Sequence, residues 1–205
     1  MHKILCIIGI SLCLLPFCLQ TLTKYEFNAQ IDTIHTQIQS KNTCDTILKK
    51  AREYNRQIFN REDYEKQLNP LQDGYMATIQ IDAIQVNLPI YHNTTEDILS
   101  KGIGHIPWSS LPVGGKSTHT ILTGHSGCAK CSFFNRLDEL KKSDRIQIHV
   151  CNQTLEYKVI EKYKVLPNQI ESLQIQEGKD LLSLITCTPF GINTHRLIVR
   201  CERVK

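Results

Sequence analysis

No stretch of this 205-residue chain concentrates charge of one sign: 24 lysines and arginines against 20 aspartates and glutamates leave a net charge of +4. The basic residues are scattered instead of forming a stripe that could follow phosphates, which excludes nucleic acid as the expected partner. A phosphate cradle is missing too, because Gly114-Gly115-Lys116-Ser117 lacks the upstream glycine of a P-loop and leads into no clear helix. It reads as a turn. No internal repeat and no low-complexity tract occurs, so a repeat architecture is excluded. Cys128 and Cys131 form a Cys-x-x-Cys pair, but no second such pair and no paired histidines accompany them, and no βαβ pattern precedes them. The full ligand set of a zinc site and a thioredoxin-like context are therefore lacking, metal ranks second and redox catalysis third for this pair, and no metal or cofactor is assigned. A local disulfide or two free thiols ranks first for the pair.

One apolar run is long enough to matter. Ile4 to Leu19 is almost wholly apolar, follows Met1-His2-Lys3, and extends through Thr21, Leu22 and Thr23 toward the ~20 residues of a membrane span. No Ala-x-Ala pattern follows it, and Pro16 and Phe17 precede Cys18 where a lipoprotein signal has small residues. An uncleaved anchor is therefore expected over a removed signal, with Lys3 in the cytoplasm and the rest of the chain outside. No second apolar span follows before Lys205. Of nine cysteines, Cys6, Cys13 and Cys18 lie in that run. The remaining six are Cys44, Cys128, Cys131, Cys151, Cys187 and Cys201, irregularly spaced in a domain large enough for its own core, so a disulfide scaffold is not required and single bridges stay open.

From Thr33 to about Gln67 there is no proline or glycine, and Ile34, Ile38, Ile47, Leu48, Ala51, Tyr54 and Ile58 recur close to helical spacing. One or two amphipathic helices are expected, as a stalk or packed outside the main domain. Asn69-Pro70-Leu71-Gln72-Asp73-Gly74 breaks the pattern. Beyond it, short β-rich runs are separated by turn residues: Tyr75 to Ile81, Ile84 to Ile90, His119 to Leu122, Arg145 to Val150, Leu155 to Val165, Leu181 to Thr186 and Arg196 to Arg203. Helices are expected over Thr94 to Lys101, capped by Thr95, and over Ser132 to Lys142, with Phe133, Phe134, Leu137 and Leu140 on one face. The fold class is mainly β: seven or eight strands closing into a barrel, with short helices. The division expected is 1–23 anchor, 24–69 helical segment, 70–205 barrel.

Three residues carry chemistry. Cys187 ends an apolar strand and precedes Pro189, which cannot donate to a ladder, so its thiol lies where pairing stops. Thr186 and Thr188 flank it with hydroxyls. Arg196 lies on the next strand, where antiparallel pairing brings a permanent cation back beside the thiol. His125 sits between Gly124 and Ser126-Gly127 at the end of another strand, as an uncrowded proton-transfer group would. His105 and His195 are its nearest rivals. Thiol, imidazole and guanidinium are the parts of a cysteine acyl-transfer site.

The run Thr186-Cys187-Thr188-Pro189-Phe190-Gly191-Ile192-Asn193-Thr194-His195-Arg196-Leu197 resembles the signature of the sortases, and within them the pilin-polymerising class C. Leu88-Pro89-Ile90-Tyr91-His92, Gly102-Ile103-Gly104-His105, Ser110 to Gly115 and Leu122 to His125 follow the family's order, covering roughly residues 70 to 203. The resemblance implies an eight-stranded sortase barrel and a cysteine transpeptidase of the thiol-protease type. Such an enzyme is anchored by one N-terminal span, with its catalytic domain outside a Gram-positive-type cell. It implies cleavage of a Leu-Pro-x-Thr-Gly-like sorting signal between Thr and Gly through a thioester. Cys187 would be nucleophile, His125 general acid and base, and Arg196 would steady the oxyanion or hold the substrate. Thr186, Thr188, Asn193 and His105 are the residues expected to touch the substrate. The implied partners are surface or pilin proteins with a C-terminal sorting signal and an amine acceptor: a pilin lysine for pilus assembly, or a cell-wall cross-bridge amine for surface-protein attachment. Class C enzymes commonly carry an Asp-Pro-aromatic lid motif ahead of the barrel; Asn55 to Pro70 contains no Asp-Pro pair. Two other readings stand beside this one, a thiol oxidoreductase built on Cys128 and Cys131 and an anchored interaction module without activity.

Overall fold

The computed structural model of the protein describes residues 29, 31–33, 36, 38, 41–57, 63–126 and 133–204. The apolar run at 1–23 and the pair Cys128 and Cys131 lie outside them. Among the described residues no helix is long and apolar enough to cross a membrane.

Eight strands close into a barrel in the order β1-β2-β3-β4-β7-β8-β6-β5: β1 (Tyr75–Ile81), β2 (Val86–His92), β3 (Ile103–His105), β4 (Thr118–Thr123), β5 (Arg145–Val150), β6 (Gln153–Val165), β7 (Asp180–Thr188) and β8 (His195–Arg203). Seven of them follow the alternation read from the sequence to within two residues at their ends. In β5, Ile146, Ile148 and Val150 point into the core while Arg145, Gln147 and His149 point out, the period-2 pattern of a half-buried strand. The eighth, β3, is three residues long and pairs parallel with β2 and antiparallel with β4. Parallel neighbours need a crossover, supplied between β2 and β3 by helix α2 (Glu96–Lys101). Thr95 caps α2 as expected, its hydroxyl accepting from the Ile98 amide.

Helix α1 (Lys41–Arg56) lies on the barrel. Leu48 and Ala51, seven and ten residues into it and on one face, join Tyr64 and Leu68 in the same buried cluster as Ile79, Ile90, Leu122, Ile148, Leu184 and Val199. The packed unit thus begins well ahead of residue 70. Asn55 closes the helix end onto a loop, its side chain both donating to and accepting from the backbone of Leu111. The helix expected over Ser132 to Lys142 is not there among the described residues: 133–136 are turns and only Leu137–Glu139 form a 3-10 helix. The four apolar residues of that run are nevertheless buried, Phe134 and Leu137 completely. Helical spacing arose from two successive turns that aim the same side chains inward.

A bulge in β6 gives the barrel a second buried layer. Val159 faces Cys201 in the core, but the register then shifts, so Glu161, Tyr163 and Val165 oppose Arg200, Ile198 and Arg196 on the outer side. There a second buried cluster forms from Ile121, Ile185, Ile198 and Leu173, the last supplied by the connection 166–179 that folds across the outside of β7 and β8. Covered on both faces, β7 is buried from Leu181 to Thr186. The connection is also held by polar groups. Gln174 offers only a carbonyl to His119 Nδ1 (3.0 Å), so that nitrogen carries the hydrogen and Nε2 accepts from the Ser183 hydroxyl at 2.8 Å. Arg200, 9% exposed, donates to Ser172 O, to the Tyr163 hydroxyl and to the Glu161 carboxylate.

Burial holds the His119 imidazole below its ordinary value, and the nearby Arg200 charge pushes the same way. The unfolded chain therefore takes up a proton near pH 6.5 that the folded chain refuses, so this residue's contribution is complete above that pH and fades as pH falls. Urea denaturation at pH 7.5 and pH 5.5 is expected to show a loss of about 1 kcal/mol attributable to His119, absent in His119→Gln. An equal loss in both proteins would assign the effect elsewhere.

Candidate active site

β7 carries Cys187 to the same end of the barrel as the start of β8, and the antiparallel register places Cys187 directly opposite Arg196 and Thr188 opposite His195. Directly opposed residues share a face, with Cβ atoms about 5 Å apart. Sulfur and guanidinium thus project from one patch of the barrel's outer surface, in line with Ile185 and Ile198 of the second cluster. Both residues are half-buried. Arg196 Nη1 donates to the carbonyls of Asn193 and His195, each at 3.1 Å, which props the side chain over the β7–β8 loop.

On the other edge β7 pairs parallel with β4, Thr123 against Ile185, and the ladder is prolonged past the strand end by Gly124 N donating to Ile185 O at 3.2 Å. Continuing that register brings His125 level with Cys187. Thr186 Oγ1 donates to Gly124 O at 2.8 Å, Ser126 Oγ donates to Cys187 O at 2.6 Å, and Phe134 N donates to His125 O at 3.0 Å. Four hydrogen bonds therefore fix the backbone that bears the imidazole. Gly124 is required by close approach: a Cβ there would stand 2.7 Å from Ile103 Cδ1 and 3.0 Å from Phe134 Cδ2. The imidazole itself is turned to α2, with Nε2 3.2 Å from the Glu96 carboxylate. Glu96 is exposed, so the pair is a weak one.

Cys187, His125 and Arg196 are thus brought to one end of the barrel. The four residues expected to touch substrate separate. Thr188 is half-buried beside His195 at the strand end, and Asn193 is exposed in the β7–β8 loop. Thr186 is 4% exposed, its hydroxyl spent on Gly124. His105 is a correction: it is fully buried, Nε2 donates to Ser110 O at 2.9 Å, and Nδ1 accepts from the Tyr64 hydroxyl at 2.8 Å. Its imidazole joins the 64–68 segment to the barrel and presents nothing to solvent. The rival His195 is half-buried, with Nδ1 3.0 Å from the Thr194 hydroxyl.

Two groups at the site are not evident in the sequence. Ser126 stands there only as a neighbour of His125, and Glu96 only as the residue after the capping Thr95. The acidic first turn of a predicted helix is no signal that it faces a histidine 29 residues away. The rim carries exposed apolar side chains, Phe190 and Ile192 on the β7–β8 loop and Leu166 and Ile170 on the 166–179 connection. Among the described residues, no cluster of three or more His, Cys, Asp or Glu could hold a metal ion.

The Sortase domain profile matches residues 79–204. Among curated proteins the chain is similar to sortase D of Bacillus subtilis (strain 168), 30% identical over 129 residues covering 62% of each chain. The chain spans less than two thirds of the length of the curated relatives it matches. Among solved structures it is similar to sortase C1 from Streptococcus agalactiae, with a TM-score of 0.83 and 39% identity over 86% of this chain and 98% of that one. It is also similar to sortase C of Streptococcus pneumoniae, with a TM-score of 0.76 and 35% identity over 88% and 95%, a structure described as informing catalysis and pilin substrate specificity.

Cys201 is fully buried and burial pushes its thiol up, whereas Cys187 reaches solvent opposite a cation. Iodoacetamide is expected to label Cys187 in the native protein while sparing Cys201, as read by peptide mass spectrometry. Arg196→Ala should slow the labelling of Cys187 about 5-fold at neutral pH, the size of one charge contact of about 1 kcal/mol at the dielectric of water. An unchanged rate would place the guanidinium out of reach of the sulfur.

Proposed function

This chain belongs to the sortase family, and from that premise we propose that it is a membrane-anchored cysteine transpeptidase acting outside the cell. Its substrate is a Leu-Pro-x-Thr-Gly-like sorting signal, cut between Thr and Gly. The observation that carries the reading is the pairing of Cys187 with Arg196 across β7 and β8, with the two neighbours of His125, Gly124 and Ser126, bonded to the same strand end.

In the first half-reaction the Cys187 thiolate attacks the Thr carbonyl, and Arg196 faces the oxyanion that forms. Its guanidinium is held over the β7–β8 loop by backbone carbonyls, so little reorganisation is needed as charge develops. His125 protonates the departing glycine amine, leaving a thioester on Cys187. In the second half the acceptor amine attacks the thioester while His125 takes its proton. The His125 side chain meets Glu96 in the resting arrangement and reaches the sulfur by side-chain rotation, since its backbone is fixed.

The acceptor we propose is a pilin lysine, giving a polymer; the similarity to solved sortases C, one of them described in terms of pilin substrate specificity, supports it. The apolar run Ile4 to Leu19 behind Lys3 supports the anchored, extracellular placement.

The full chain in detergent, given a Leu-Pro-x-Thr-Gly-type peptide and an amine, is expected to release the glycine-containing fragment and form the amide. Cys187→Ala should abolish both. His125→Ala and Arg196→Ala should each lower the rate at least ~100-fold, and Cys128→Ser/Cys131→Ser should leave it intact. A lysine-bearing pilin domain is expected to outcompete a short peptide with a free N-terminal amine as acceptor. The reverse preference would assign the protein to cell-wall attachment, and no acyl transfer with any amine would overturn the proposal.

A further inference from the structure

We infer that Cys44 and Cys151 are joined by a disulfide in the functioning protein, clasping helix α1 to the β5–β6 hairpin. Both are free thiols here. They lie in segments that meet: Cys44, whose Sγ donates to Ile38 O at 3.3 Å, is followed by Asp45, and Cys151 is followed by Asn152, which bonds Asp45. The contact is held in register by its neighbours. Asp45 accepts from Asn152 Nδ2 at 3.4 Å, and two turns along the helix Arg52 donates to Gln153 at 2.6 Å. Cys44 is 2% exposed, and Cys151 packs on the main core beside it.

The backbone gives an independent reason to read Cys151 as placed for its sulfur. It sits in the two-residue turn between β5 and β6 with φ of 49°, a left-handed conformation in which glycine or asparagine is ordinary and a cysteine disfavoured. Packing alone does not ask for a thiol there, since a thiol is a weak hydrogen-bond donor and alanine or serine would fill the space without risk of oxidation. What the position offers is contact with Cys44.

The chemistry is thiol–disulfide exchange. One thiolate attacks an external disulfide, a thiol–disulfide oxidoreductase outside the cell or oxidised glutathione in the test tube, and releases one of its sulfurs as a thiol. The second cysteine then displaces the mixed disulfide, so two electrons and two protons pass from the pair to the oxidant, which leaves as two thiols. Burial, with the Cys44 bond adding to it, pushes the Cys151 thiol up to about 12. A thiol held up in this way is a poor nucleophile once the helix has docked, and the buried Cys44 sulfur is the less accessible side of the finished bond. It closes a loop of about 100 residues, the regime in which cross-linking removes most freedom from the unfolded chain. The bond lies far from the active site, because β6 runs its thirteen residues from Gln153 beside it to Val165 opposite Arg196, about 40 Å of strand. Its effect is to fix the barrel on the segment that precedes it.

The inference rests on the extracellular placement proposed for this sortase, where disulfides persist. The test is a non-reducing tryptic digest of full-length protein isolated from its cells with thiols blocked at lysis. The expected product joins peptide 42–49 to peptide 146–158, two hydrogens lighter than their sum, and disappears on reduction. Reduction should lower Tm by about 10 °C. The Cys44→Ser/Cys151→Ser variant should show the low Tm with or without reductant while keeping the wild-type rate of peptide transfer at 25 °C. Recovery of both peptides singly and alkylated, even after refolding with oxidised glutathione, overturns the clasp. Linkage only after added glutathione overturns it as a feature of the functioning protein and counts against the compartment. An intact cross-link in protein that transfers no peptide to any amine overturns the proposed function and leaves the clasp standing.

Discussion

Everything at the active end of the molecule depends on the register of one strand. β7 is hydrogen-bonded on both edges, parallel to β4 and antiparallel to β8, and its side chains alternate between the main core and the outer cluster. A slip of one residue would turn Leu182 and Leu184 outward and bury Cys187. Leu182 and Leu184 face the interior, Ile185 the outer cluster, and each fully buried aliphatic is worth about 1.5–3 kcal/mol. Register is thus fixed by several apolar side chains at once, and the thiol's position comes from residues that have no chemistry of their own.

The outer face of β7 needs its own cover, and here polar and apolar groups divide the task. Leu173 seals Ile121, Ile185 and Ile198, while His119 and Arg200 reach carbonyls of the same connection. A buried imidazole and guanidinium cost desolvation energy, which backbone acceptors offset but apolar residues would not have incurred. What they gain is direction: a carbonyl must be met at one distance and angle, whereas Leu173 alone would tolerate sliding. The connection that borders the Cys187 face is therefore fixed along its length as well as pressed onto the sheet.

Much of this was legible in the sequence because a barrel strand writes its inside and outside as alternation, and seven strands did so. β3 did not. Its three residues, Ile103, Gly104 and His105, are too few to show a period, and Gly104 is there because a Cβ would stand 2.6 Å from the Asn93 carbonyl oxygen. The 132–142 run misled for the opposite reason, since burial at i, i+1, i+4 and i+7 satisfies a helix template even when turns produce it. His105 and Thr186 were expected at the substrate because one ends a run that follows the family's order and the other borders Cys187 in sequence. Neighbours on a strand point to opposite faces, so Thr186 faces away from the side Cys187 occupies and bonds Gly124 instead. Which polar residue near a nucleophile is structural is decided by parity and by partners distant in the chain, neither of which spacing displays.

The three groups brought together at the barrel end are not held equally, and the difference fits what each is proposed to do. Cys187 and Arg196 stand on paired strands, where neither backbone moves without breaking the ladder. Preorganised donors and nucleophiles gain from that rigidity because nothing must reorient as charge develops. In the proposed reaction His125 serves two amines at different moments, the one that leaves and the one that arrives. Its backbone is tied by the bonds at Gly124, Ser126 and Phe134, so no loop motion is required, yet its side chain lies 25% exposed between Glu96 and the strand end. In the proposed reaction, rotation about side-chain bonds alone would carry the imidazole between carboxylate and sulfur. Exposed side chains turn in picoseconds to nanoseconds, far faster than turnover on any ordinary enzymatic scale. A proton carrier on a fixed pivot thus combines the accuracy of the sheet with the one freedom that two successive proton transfers need.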